Sequence, residues 1–249
     1  MPVAIVIDGA YFIRRFNRTF PNLDRNNPAH LAFGVAAIAD WHLAERLSAM
    51  PLPRALGKAA KFDGASGIVE DAELYRIFFY DCGPLTKQMH RPVSKLSINW
   101  GKTPEAKLRT AFHAHLLETR KVALRLGRLN EQFAHWKPKP QSVALWLKDS
   151  SQFSPTDDDF ELAVTQKGVD MRLGLDIASM AYKKQIDQLI MIASDADFVP
   201  PAKLARREGI DVVLDPMHGP VAIDLKEHVD GIRNCMITIT ADELPLIYA

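Results

Sequence analysis

Four aspartates, Asp8, Asp170, Asp195 and Asp197, carry the chemistry that can be read from this chain. Carboxylates within a few ångströms of one another repel, and each raises its neighbours' pKa. A divalent cation relieves that repulsion. Hard oxygen donors with few His or Cys nearby favour Mg²⁺ or Mn²⁺ over Zn²⁺. A centre of that kind activates water for attack on phosphorus and stabilises charge on the leaving oxygen. Taken singly, each aspartate has a plainer job as a helix cap or a turn residue. Four of them at three strand or helix junctions point to a shared site.

Three elements must position these acids. Val3-Ala4-Ile5-Val6-Ile7 is an apolar, mostly β-branched run that stops at Asp8-Gly9. It reads as a buried strand with a carboxylate at its C-terminal end. Lys167-Gly168-Val169-Asp170 opens a helix whose Val169, Leu173, Ile177 and Met180 recur at the spacing of one apolar face. Gln188 to Ala193 is too short for a helix and reads as a second buried parallel strand, with Ser194-Asp195-Ala196-Asp197 directly after it. In an open α/β sheet, helix entrances and strand C-termini share the rim where ligands bind.

Ile7-Asp8-Gly9, Gln166-Lys167-Gly168-Val169-Asp170 with Leu175-Asp176, and Ala193-Ser194-Asp195-Ala196-Asp197-Phe198-Val199-Pro200 resemble, in this order, the motifs of NYN-domain proteins. These are PIN-like nucleases, and the LabA-like bacterial subgroup is the nearest in pattern. The resemblance covers residues 1–16 and 155–230. It implies a Rossmann-like (PIN-like) three-layer α/β/α fold with a mainly parallel central sheet. It also implies RNA cleavage and metal-ligand roles for Asp8, Asp170, Asp195 and Asp197. The chain departs from the family at Tyr11, where Asn is frequent, and at Ser194, where Gly is frequent. Asp176 lies six residues after Asp170, roughly 240° around a helix, so it is read as a structural acid.

The formal net charge of +1 conceals a polarised chain. Between Thr86 and Pro140 twelve Lys and Arg face three Glu, which leaves a deficit of eight positive charges on the remainder. A long helix is expected from Thr103-Pro104 through Leu126, with Lys121, Arg125 and Arg128 lining one face. This makes residues 84–155 a basic helical insertion within one domain spanning 1–249. A basic helix without matching acids is either a solvated face or an electrostatic footprint for nucleic acid. Beside an acidic pocket, RNA is the favoured partner, with Lys167 as a further phosphate contact. Trp100 and Trp136 bracket the helix and could stack unpaired bases or simply pack. Arg14 and Arg15 are read as a solvated helix face.

Asn27-Pro28 starts a helix, and Glu73–Cys82 is an aromatic-rich strand beside the first. Asp81 is read as a turn residue and Ser142–Leu147 as a strand. Ser150–Asp159 is read as a solvated loop and 234–239 as a last strand. Residues 51–72, rich in Pro and Gly, are read as connection. Two distant cysteines match no metal spacing and suit a reduced, cytoplasmic chain. No apolar stretch approaches the ~20 residues of a membrane span. The expected activity is metal-dependent, endonucleolytic ribonuclease action. Its rival is a non-catalytic RNA-binding or regulatory module, and an aspartyl phosphatase is disfavoured by Ala10 two residues after Asp8.

Overall fold

The computed structural model describes residues 2–46 and 74–238. The first half of the chain gives β1 (Val3–Asp8), α1 (Gly9–Thr19), α2 (Pro28–Arg46), β2 (Leu74–Cys82), β3 (Gln88–His90), β4 (Ser97–Asn99) and α3 (Pro104–Glu118). Then follow β5 (Val122–Leu129), β6 (His135–Pro138), α4 (Pro140–Lys148), β7 (Phe160–Ala163), β8 (Gln166–Lys167) and α5 (Val169–Tyr182). The chain closes with β9 (Gln188–Ile192), α6 (Val199–Arg207), β10 (Asp211–Asp215), α7 (Ile223–Lys226) and β11 (Gly231–Ile232). The connection expected over 51–72 lies outside the described residues.

Seven strands form one sheet in the order β11-β10-β9-β1-β2-β5-β8, parallel except for the β5–β8 pair. β1 lies at its centre because its apolar run is buried on both faces. Successive strand residues point to opposite sides. Val3, Ile5 and Ile7 pack with Phe12, Phe16, Phe33, Phe79 and Phe112 under α1, α2 and α3. Ala4, Val6, Phe78 and Tyr80 pack with Leu173, Ile177 and Ala202 under α5 and α6. Helices therefore cover both faces of the sheet, as expected of the fold class.

The central elements follow the sequence expectation closely. Asn27 Oδ1 accepts from Ala29 N at 2.9 Å and so caps α2. Phe198, Ala202 and Ala205 bury the inner face of the helix after the acidic loop, and Gly209, at φ +83°, ends it.

The basic stretch differs. The helix expected through Leu126 ends at Glu118, and Lys121 turns the chain at φ 63° into β5. β5 pairs with β2 inside the main sheet, so this part of the stretch is not helical. Its backbone hydrogen bonds go to a neighbouring strand instead of to its own previous turn. Ser142–Leu147 is helical, because Pro140 at the first turn starts α4. Asp157–Asp159 forms a 3₁₀ turn within the solvated loop, with Asp158 exposed and its two neighbours hydrogen-bonded. Asp157 Oδ1 accepts from Val93 N and Ser94 N, and Asp159 accepts from Ser142 Oγ and from Thr156. Residues 234–238 form no strand.

Close approach of α5 to the sheet depends on Gly127 in β5. A Cβ there would lie 2.6 Å from Val169 Cγ2 and 2.9 Å from Lys167 O. The entrance of α5, where Asp170 sits, thus rests directly on β5.

Candidate active site

Asp8 is the last residue of β1 and the cap of α1, where its Oδ1 accepts from Tyr11 N at 3.1 Å. β2 flanks β1 on one side and β9 on the other, so the chain reverses its direction of travel across the sheet at β1. Such switch points open a crevice at the C-terminal ends of the strands. Asp195 and Asp197 follow β9 on the far side of that crevice. Asp195 caps a one-turn 3₁₀ segment by accepting from Asp197 N at 3.3 Å. Asp170 stands exposed in the first turn of α5.

The electrostatics tie these acids together. Burial pushes the Asp8 carboxyl up, backbone N–H groups of Tyr11 and Ala10 oppose it, the charge of Asp170 adds to it, and Arg14 opposes it. Partial desolvation also raises Asp170, exposed as its side chain is, followed by the charges of Asp197 and Asp195. Asp170 is therefore the electrostatic neighbour of the other three. Among the described residues, however, no group of three or more His, Cys, Asp or Glu is gathered closely enough to hold a metal ion. A closed cage of three carboxylates does not fit this arrangement. Mg²⁺ is commonly held by one or two carboxylates, by its own waters and by substrate phosphates. An all-oxygen donor set with raised carboxyls fits that looser kind of centre.

Set beside this geometry, comparison with known families gives a match to part of the chain. The NYN domain model matches residues 112–230. The NYN-matched stretch takes in Asp170, Asp195 and Asp197 and leaves β1 with Asp8 outside it. The chain is also similar to a solved structure, a protein of unknown function from Vibrio parahaemolyticus. The two share 13% identity over 97% of this chain and 94% of that chain, with a TM-score of 0.40. No curated protein matches.

The basic residues expected to bind RNA lie in the NYN stretch but not on one face. Lys121 sits at the N-terminal edge of the sheet, opposite the acids, with Nζ donating to Leu74 O. Arg125 lies mid-strand, with its guanidinium 5.5 Å over the Phe78 ring and Nε donating to Asp176. Arg128 and Lys167 lie at the C-terminal end of β5, the edge of the sheet on which the acids stand. They are directly paired between β5 and β8, so their side chains leave the same face, and both are exposed. Arg14 lies 5.5 Å over the Tyr11 ring, while Arg15 donates to Met217 O and His218 O. Tyr11, at the position where Asn is frequent, donates its hydroxyl to Pro216 O and tethers the loop after β10.

Two strand-ending acids are buried structural residues. Asp81 accepts from Arg109 Nη1 at 2.7 Å and from His113 Nε2 at 2.8 Å, so it is more than a turn residue. Asp215 accepts from His42 Nε2 at 2.9 Å and from the backbone N–H groups of Met217 and Cys235. Asp215 closes an apolar run just as Asp8 does, which is the signal that sequence reading could have used. No described helix is long and apolar enough to cross a membrane.

Proposed function

We propose that this chain is a metal-dependent ribonuclease that hydrolyses RNA phosphodiester bonds endonucleolytically, with residues 1–249 forming one NYN/PIN-like domain of LabA-like type. The NYN family comprises PIN-like nucleases, and the match spans three of the four aspartates. The observation that supports the reading is the switch point at β1, where Asp8 ends one strand, Asp195 and Asp197 follow the neighbouring β9, and Asp170 lies in the first turn of α5.

In this reading Mg²⁺ or Mn²⁺ would be held by one or two carboxylates at a time from the set Asp8, Asp170, Asp195 and Asp197, with water and substrate phosphate as its other ligands. The bound ion supplies Lewis-acid stabilisation of charge on the phosphoryl oxygens. Asp8 would also orient water at the end of β1. Lys167 and Arg128 hold the RNA backbone, which gives affinity with little sequence information.

The rival reading, a non-catalytic RNA-binding module, is favoured by the lack of a three-acid group among the described residues. The two separate in one experiment. Labelled single-stranded RNA is incubated with Mn²⁺, Mg²⁺ or EDTA, beside the Asp195→Asn protein. Asn caps a turn as well as Asp does, so the variant keeps its fold. Metal-dependent cleavage should fall by more than the roughly 10–100-fold of an outer-sphere change. RNA that shifts on a gel but stays intact under every condition would move the assignment to the binding module.

A further inference from the structure

A cavity of about 310 Å³ opens where β2 and β5 end, beside the start of α3. Cys82, the last residue of β2, and Leu129, the last of β5, line it from the sheet. Gln166, four residues before Asp170, closes one side. The cavity therefore lies on the same rim as the aspartates. The charges felt by Cys82 agree: after burial and Asp81, both Arg109 and Asp170 act on its thiol.

Arg109 lines the cavity and is held from behind. Its Nη1 donates 2.7 Å to buried Asp81, whose other oxygen accepts from His113 Nε2. A guanidinium carries five donors, and no other acceptor among the described residues is bonded to this one. Anchored on one edge and open on another, it has the geometry that recognises phosphate. Trp100 forms part of the wall, packed at 6.1 Å on Trp136. Its indole N–H is shielded from solvent and has no acceptor among the described residues. Glu105 adds an acceptor to the same wall. One aromatic surface, one acceptor and one fixed guanidinium match a nucleotide. A volume near the lower end of small-molecule sites, ~300 Å³, admits one nucleotide and excludes a duplex.

We propose that this cavity is a subsite for a single unpaired ribonucleotide of the RNA strand, with its phosphate on Arg109 and its base against Trp100. The identity of the polymer rests on the ribonuclease reading; the subsite itself does not depend on cleavage. It would position the strand so that the adjoining phosphate meets the aspartates.

The full chain is titrated in EDTA with short single-stranded RNA, with ribonucleoside monophosphates and with inorganic phosphate, and binding is followed by calorimetry. RNA and monophosphates should bind saturably, and more tightly than inorganic phosphate. Arg109→Gln should weaken RNA binding by about fivefold or more, the net worth of one hydrogen bond to the phosphate. That variant also strips buried Asp81 of a partner, so Gly83→Phe is tested beside it. Gly83 lines the cavity, and a Cβ there meets nothing within 4 Å. Its ring fills the mouth without displacing backbone, and the same fivefold loss is expected. A folded Gly83→Phe protein that binds RNA as the wild type does would overturn the subsite, even if cleavage is robust. Monophosphates that bind where RNA does not would equally overturn it, in favour of a free nucleotide. Loss of RNA binding in Gly83→Phe with no cleavage in any metal would keep the subsite and remove the ribonuclease.

Discussion

Arg125 Nε and the Tyr80 hydroxyl both donate to the same oxygen, Oδ2 of Asp176, each at 3.0 Å. Asp176 thereby faces the sheet and ties α5 to β2 and β5, even though it belongs to the Leu175-Asp176 pair of the family pattern. The Arg125–Asp176 ion pair is substantially exposed and contributes little by itself. The Tyr80 hydroxyl is fully buried, and leaving it without an acceptor costs about 1–3 kcal/mol. Asp176→Ala should lose that much in urea unfolding. Tyr80→Phe should lose less, because Asp176 keeps Arg125 and partial contact with water.

The sheet separates the basic residues into two groups. Lys167→Ala and Arg128→Ala should each weaken RNA binding and flatten its dependence on log salt by about 0.7, the slope for one phosphate contact on a single strand. Lys121→Ala should leave that slope unchanged, because its ammonium serves Leu74 O at the opposite edge. An equal effect from all three, measured by fluorescence anisotropy across a salt series, would reject this division.

Metal-free protein should carry an electrostatic penalty at Asp170. Its carboxyl is raised in the native state from an ordinary value of 3.8, so the folded chain binds that proton more tightly than the unfolded one. Stability then falls as pH rises from 3.8 through the native value, and the whole penalty is present at neutral pH. Asp170→Asn in EDTA should melt above the wild type at neutral pH, with the difference vanishing below pH 3.8. Exposure keeps the gain within about 2–4 °C, what 1 kcal/mol moves in a chain of this size. Added Mn²⁺ should raise the wild-type Tm and leave the variant where it was.

The aromatic layer leaves no slack between α1 and α2. A Cβ on Gly34 would lie 2.5 Å from Phe16 Cε2 and 3.1 Å from Phe20 Cε2, both in fully buried rings. Gly34→Ala, although it favours helix, should destabilise by about 1–3 kcal/mol through overpacking. A neutral or stabilising result in urea unfolding would mean that these rings shift freely.

The central strands and α5 were legible in the sequence because burial on two faces writes an unbroken apolar run, and burial on one face writes a period. Asp8, Asp195 and Asp197 were legible as strand-end residues because they follow those runs. The break between α3 and β5 was not. Thr119, Arg120 and Lys121 carry no Gly, Pro or Asn, yet Lys121 takes φ 63°. Val122–Leu129 reads VALRLGRL, apolar enough for a helix face, and only its pairing with β2 makes it a strand. The fate of Arg125 was hidden for the same reason, since its partner Asp176 lies 51 residues away. Nothing local marks Asp81 as the acceptor for Arg109 and His113.

Gly127 makes side-chain size on β5 a spacer for the aspartates. Val169 rests where a Cβ at 127 would stand, and Asp170 is the next residue along α5. A methyl group at 127 would wedge the helix entrance outward and widen its gap to Asp8 on β1, two strands away in the sheet. The reach across the crevice is therefore a dimension that one small residue sets, on a strand that carries none of the acids.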